Sequence, residues 1–193
     1  MSRWLAAVVV ILALASCSSA CTRARRFAAP VMPADEVQRR LAIAARANPP
    51  AYYLGETYRG LEISDVSIDS HFVSVSYGTC EITSGEEGGC LPPYQVVTEA
   101  FANEGWTIAA GCSRLRDIRG VPAVSWGGGT QLIFGTTLVK VFPAGDSGAS
   151  AAAAQVRPIG GSLVARLHRP NSATLAVIGK ACGDRPGQHG QNM

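Results

Sequence analysis

The chain has 193 residues, 47% of them hydrophobic, with 17 Lys and Arg against 14 Asp and Glu and a formal net charge of +3. So weak a positive field gives no case for a nucleic-acid surface, and the length suits one domain of ordinary size with a sizeable core. Six cysteines, Cys17, Cys21, Cys80, Cys90, Cys112 and Cys182, make the redox compartment the first question.

The N-terminus has the three regions of a targeting segment: Arg3 supplies a positive charge, Trp4 to Ala15 is continuously apolar, and small residues follow. The apolar run is too short to cross a bilayer, which takes roughly 20 residues. It closes on Leu14-Ala15-Ser16-Cys17, which resembles the bacterial lipobox: an aliphatic residue, two small ones, then the cysteine that is acylated and becomes the new N-terminus. That resemblance implies a signal peptide over 1–16, lipidation at Cys17, and residence at the cell membrane on its extracytoplasmic face. The competing expectation is plain secretion, because Ser18-Ser19-Ala20 would serve as a small-x-small cleavage site before Cys21. Cleavage before Cys17 removes 16 of 193 residues, leaving 177, and the loss of Arg3 lowers the charge from +3 to +2.

Export places the thiols where disulfides persist. With Cys17 acylated, Cys80, Cys90, Cys112 and Cys182 remain in the folded part and can pair in three ways. The favoured pairing joins Cys80 to Cys90 around an acidic, Gly-rich loop and Cys112 to Cys182, tying the chain end to its middle. In the chain-entropy picture these links contribute about 3 and 4 kcal/mol before strain is subtracted. Cys21 is left over as a solvated thiol or an intermolecular bridge. No zinc site is expected: there is no Cys-x-x-Cys or His-Glu-x-x-His, and His71, His168 and His189 are scattered. Neither a metal nor any other cofactor is anticipated.

Residues 17–33 read as a spacer, either solvated or with Arg23, Arg25 and Arg26 set against anionic headgroups. A globular part over 34–183 follows. "PADEVQRRLAIAARANPP" is a helix, with Asp35 and Glu36 early, arginines later, Val37, Leu41 and Ala44 or Ala45 on one stripe, and Pro49-Pro50 as the stop. "LEISDVSIDSHFVSVSYGTC" is a hairpin turning at Asp69-Ser70, with His71, Val73, Val75 and Tyr77 on one face opposite Phe72, Ser74 and Ser76. On that alternation His71 is a strand residue rather than a base. Glu81, Glu86 and Glu87 lie in a loop without the order of a calcium loop and read as a solvated acidic turn.

"PPYQVVTEAF" fits strand or helix, and the paired valines favour strand. Three short strands are predicted near 120–126, 130–134 and 137–142. The intervening Gly127-Gly128-Gly129 is a turn rather than a phosphate loop, because no Gly-Lys-Ser/Thr follows it. "GDSGASAAAAQVRPIG" is a short alanine helix capped by Asp146 or Ser147 and ended before Pro158. Residues 162–182 stay open between strand and helix, and 184–193 form a frayed polar tail.

Together, the Leu-Ala-Ser-Cys terminus, "YYLGETYRGLEI", "YGTCEITSGEEGGCLPPYQV", "RGVPA", "GGGTQLIFGTTLVKVF" and the alanine helix resemble uncharacterised exported lipoproteins of GC-rich Gram-positive bacteria over residues 31 to about 160. The resemblance implies an exported α+β domain with disulfides at the cell surface, and carries no site residues with it. From the residues alone the expected fold is a single α+β domain, a mostly antiparallel sheet with helices packed on one face.

Catalytic constellations are missing from the pattern. There is no Gly-x-Ser-x-Gly and no Ser-x-x-Lys, and Asp65, Asp69, Glu99, Asp117 and Asp146 fall on different predicted elements. Tyr52, Tyr53, Tyr58, Trp106 and Trp126 could line a glycan or lipid groove, against the simpler expectation that they pack the core. The functional expectation is therefore a non-enzymatic, lipid-anchored binding or structural module at the cell surface. Its partners are the membrane, through the anchor, and a cell-envelope protein or glycan, with no nucleic acid. The alternative is a sensory or accessory ectodomain that binds a membrane protein, with a surface hydrolase third.

Overall fold

The hairpin expected from the alternation of Leu61 with Ile63 and of Val73, Val75 and Tyr77 is the seed of a much larger sheet. The computed structural model describes residues 27–28, 31–79, 81–82, 91–101, 112–126, 128–144, 148–161 and 167–182. In chain order the early strands are β1 Phe27–Ala28, β2 Tyr52–Tyr53, β3 Thr57–Tyr58, β4 Leu61–Ile68, β5 Phe72–Tyr77, β6 Glu81–Ile82 and β7 Tyr94–Ala100. The later ones are β8 Ser113–Arg114, β9 Ala123–Trp126, β10 Gly129–Phe134, β11 Thr137–Pro143 and β12 Arg157–Pro158. Three helices accompany them: α1 Ala34–Ala44, α2 Ala149–Ala153 and α3 Ser172–Cys182.

Eight strands form one sheet in the order β3-β4-β5-β7-β11-β10-β9-β8, and every pairing in it is antiparallel. Two hairpin stacks meet at β7, which pairs with β5 on one side and with β11 on the other. The strand assignment of "PPYQVVTEAF" thus holds, and β7 is the centre of the sheet. Its flanking registers bring Val75, Val96 and Val141 into line, with all three fully buried. β-branched side chains suit such a pleated, doubly flanked position.

One face of the sheet carries the main core. Val66, Val75, Val96, Val139, Val141, Leu132 and Phe134 pack there with Val37 and Leu41 of α1 and with Ala152 and Ala153 of α2. The α1 stripe is the one its sequence predicts, and Arg40 fixes it further by donating to the Val66 carbonyl at 2.9 Å. Hydrogen bonds from Arg40 and then Arg39 hold the Glu36 carboxyl below its ordinary range. Met32 packs against the same core and its N–H donates to the Ser64 carbonyl at 2.9 Å, while β1 pairs with β6. The C-terminal end of the expected 17–33 spacer is therefore already tied into the fold.

The expectation of helices on one face holds for α1 and α2 only. Ile178 of α3 packs with Val124, Ile133 and Leu138, which alternate with the core-facing residues and so belong to the opposite face. Cys112 and Cys182 form a disulfide with Cα atoms 4.9 Å apart, pinning the end of α3 to the start of β8. The segment left open by sequence pattern is thus helical from Ser172, and Asn171 Oδ1 caps it by accepting from the Thr174 N–H at 2.8 Å. On the same face of β5, Ser74 and Ser76 are buried and Phe72 is partly exposed. Gln95 Nε2 donates to Ser74 Oγ at 2.9 Å, and Lys140 pairs with Glu99 at 2.7 Å.

The α2 cap differs from expectation. It is Gly148, at φ 105, and among the described residues no side chain caps the helix; Asp146 and Ser147 lie outside the described residues.

Candidate functional site

The chain contains five tyrosines. All of them, Tyr52, Tyr53, Tyr58, Tyr77 and Tyr94, gather in or against the main core on one sheet face. Two short backbone pairings assemble them. β2 pairs with β12, setting Tyr53 opposite Arg157, and β3 pairs with β4, setting Tyr58 opposite Leu61. The sheet supplies the rest, since Tyr77 and Tyr94 are register partners on β5 and β7.

The rings meet edge to face. Tyr58 lies 4.9 Å from Tyr94 and 6.5 Å from Tyr77, and Tyr52 lies 4.8 Å from Phe134. Such tilted pairs suit the ring quadrupole. The fully buried Tyr77 phenol accepts a hydrogen bond from the Leu54 N–H at 2.8 Å and donates to the Gly55 carbonyl at 2.9 Å. Burial pushes its ionisation well above the ordinary range, against the pull of the Leu54 hydrogen bond. Burial also raises the Tyr52 phenol, with the Arg119 charge opposing it.

Three arginines surround these rings. Arg59 lies 5.6 Å from the Tyr58 ring centre and 5.8 Å from that of Tyr94, and its Nη1 donates to the Tyr94 hydroxyl at 2.9 Å. Arg157 lies 5.5 Å from the Tyr53 ring centre. Arg119 donates from Nη1 to the Val156 carbonyl. Arg59 and Arg119 share a second property: each has φ 52, and they are the two non-glycine residues with positive φ among those described. Each is followed by a glycine, Gly60 at φ 76 and Gly120 at φ 79, within a tight antiparallel turn. Two successive positive φ values are what a two-residue type I′ hairpin turn requires, and the position Arg occupies ordinarily goes to Asn, Asp or Gly. Backbone strain of this kind at a side chain held over aromatic rings is a reason to look for function there.

Room for the arginines comes from two glycines. A Cβ on Gly55, at φ 114, would run into the Arg157 guanidinium. At Gly148 a Cβ would lie 3.3 Å from the Tyr94 hydroxyl and 3.5 Å from Arg59 Nη1. Neither Arg59 nor Arg157 makes an ion pair among the described residues. The paired carboxylates sit elsewhere: Glu36 on Arg39 and Arg40, Glu99 on Lys140, and Asp117 on Arg169 at 3.6 Å. The cluster therefore offers positive charge and hydrogen-bond donors, and burial favours the neutral form of the Tyr77 and Tyr52 phenols.

The aromatic groove read from sequence assembles only in part. Tyr52, Tyr53 and Tyr58 come together, but Trp126, on β9, follows the parity of Val124 and points to the opposite face; Trp106 lies outside the described residues. Asp65 and Asp69 stand on β4 and in the turn after it, far along the chain from Asp117, and no group of three His, Cys, Asp or Glu among the described residues could hold a metal. His71 is exposed in the β4–β5 turn, and its N–H donates to Asp69 Oδ1 at 3.1 Å. Cys17, Cys21, Cys80, Cys90, His189, Glu86, Glu87 and Asp146 lie outside the described residues. Sequence reasoning passed over the arginines, although the repeated Arg-Gly in "YRGL" and "IRGV" is a turn signal.

No protein-family model, no curated protein and no solved structure matches this chain. Among the described residues no helix is long and apolar enough to cross a membrane.

Proposed function

We propose that this protein is a lipid-anchored binding module on the extracytoplasmic face of the cell membrane, a single α+β domain held there by acylation of Cys17. Support for export comes from the Leu14-Ala15-Ser16-Cys17 terminus and from the Cys112–Cys182 disulfide, a bond that persists in oxidising compartments. A second bridge between Cys80 and Cys90 belongs to the same proposal. The observation that carries the binding role is the placement of Arg59 and Arg157: aromatic rings and tight turns hold them, and no carboxylate neutralises them among the described residues.

The alternative, an accessory ectodomain docked on a membrane protein, draws on Phe72 and Trp126, each 38% exposed on the opposite sheet face. Intact-mass analysis of the membrane-extracted protein, with and without reduction, tests the anchor and the bridges together. The expected mass begins at Cys17, includes acyl chains, and gains four hydrogen atoms when the added reductant opens two disulfides. A mature chain beginning at Ser18 or Cys21 without acyl chains overturns the anchor.

A further inference from the structure

We infer that Arg157, on β12, is the seat for an oxyanion: the phosphate or carboxylate group of a ligand on the extracytoplasmic side. This rests on the binding role proposed above and names the chemistry it would recognise.

Arg157 is half-buried on β12, opposite Tyr53 in register and stacked over its ring. Its Nε is buried and has no hydrogen-bond partner. A guanidinium desolvated in this way loses hydration without a compensating acceptor, which folded proteins avoid unless something else fills the place. Stacking engages only the flat face of the group. The in-plane N–H groups are not engaged by it, Nε has no acceptor, and a guanidinium fork matches the two oxygens of a carboxylate or phosphate.

The surroundings are built around this guanidinium. Gly55 takes a φ of 114, open in practice to glycine alone, and a side chain there would displace the group. Tyr77 locks the strap by bonding to both Leu54 and Gly55. At the other end of the strap Arg59 sits in its strained turn, exposed, with a single Nη1 spent on Tyr94. Among the described residues neither arginine makes an ion pair; Glu36 pairs with Arg39 and Arg40, Glu99 with Lys140 and Asp117 with Arg169, and the Glu56 side chain beside Gly55 is exposed to solvent. What remains is a fixed, partly desolvated guanidinium without an ion-pair partner among the described residues, an arrangement complementary to an external anion.

Titration of the full-length, detergent-solubilised protein with inorganic phosphate tests this by heteronuclear NMR, following the Arg157 Nε–H resonance, assigned by its loss in Arg157→Lys. A saturable shift at or below about 10 mM phosphate is expected, with acetate competing and sodium chloride of equal ionic strength having no such effect. Arg157→Gln should weaken phosphate binding at least tenfold, and the exposed Arg59→Gln, a control that removes one positive charge from a separate turn, by much less. If phosphatidylglycerol vesicles, but not phosphatidylcholine vesicles, shift the same resonance in an Arg157-dependent way, the oxyanion is a lipid headgroup. If phosphate alone does so, it belongs to a soluble ligand. No saturable response to phosphate or acetate overturns the inference, and so does vesicle binding that Arg157→Gln leaves intact in the absence of a phosphate response. A mature mass without acyl chains would remove the anchor and leave the titration untouched, so the two failures are distinguishable.

Discussion

Tyr77 donates its phenolic hydrogen to the Gly55 carbonyl at 2.9 Å, so a side chain at the end of β5 grips backbone 22 residues earlier in the chain. The same oxygen accepts from the Leu54 N–H. One hydroxyl thus satisfies two buried backbone groups on a strap that has only short strand pairings of its own.

Tyr77→Phe should therefore destabilise the protein by about 1–3 kcal/mol, since it leaves a donor and an acceptor unpaired while preserving the ring. Chemical denaturation checks this through the midpoint. An unchanged midpoint would mean that water or a rearranged strap satisfies Leu54 and Gly55 equally well.

The same phenol sets an alkaline limit. Burial raises the folded-state ionisation of Tyr77 above its ordinary value of 10.0. The contribution is fully present below pH 10, where neither state ionises, and is lost as pH rises beyond it, because the unfolded chain releases the proton first. Stability measured from pH 8 to 12 should fall above pH 10, less steeply in Tyr77→Phe. Parallel curves for the two proteins would contradict this.

Gly55 and Gly60 form a matched comparison. Both have positive φ, 114 and 76, but a Cβ on Gly60 meets nothing within 4 Å while one on Gly55 meets Arg157. Gly60→Ala should lose about 1–2 kcal/mol from backbone strain, and Gly55→Ala a further 1–3 kcal/mol, roughly, from the displaced guanidinium. Thermal melts of the two variants would decide it, equal losses arguing that Arg157 moves aside freely.

The Cys112–Cys182 bridge spans 70 residues of sequence. Replacing both cysteines with serine should remove about 4 kcal/mol in the chain-entropy picture, and amide exchange in α3 should accelerate ahead of the core strands. Uniform acceleration across β5, β7 and β11 would show instead that α3 opens only with the whole fold.

Much of the sheet is legible from local pattern. β4, β5 and the β9–β10–β11 meander follow from period-two alternation broken by glycine turns, and α1 follows from Val37, Leu41 and Ala44 at helical spacing. α3 was within reach too, through Asn171 as a cap, but its high apolar content blurred the period. The alternation of Ser74 and Ser76 with valines does not tell that both serines are buried, because burial depends on the neighbours that tertiary structure supplies rather than on the strand itself.

The sequence by itself determined the elements whose signals lie within one strand or one helical turn and the absence of any spacing suited to zinc, while the pairing of Cys112 with Cys182, one of three open to it, was settled by the structure. Only the tertiary structure decided that β7 lies between β5 and β11, that α3 covers the face away from α1, and that five tyrosines and three arginines scattered from Tyr52 to Arg157 meet. The physical reason is range. Side-chain period and turn strain act over a few residues, whereas the Arg157 guanidinium reaches the Tyr53 ring only after the β2–β12 pairing has brought distant backbone together.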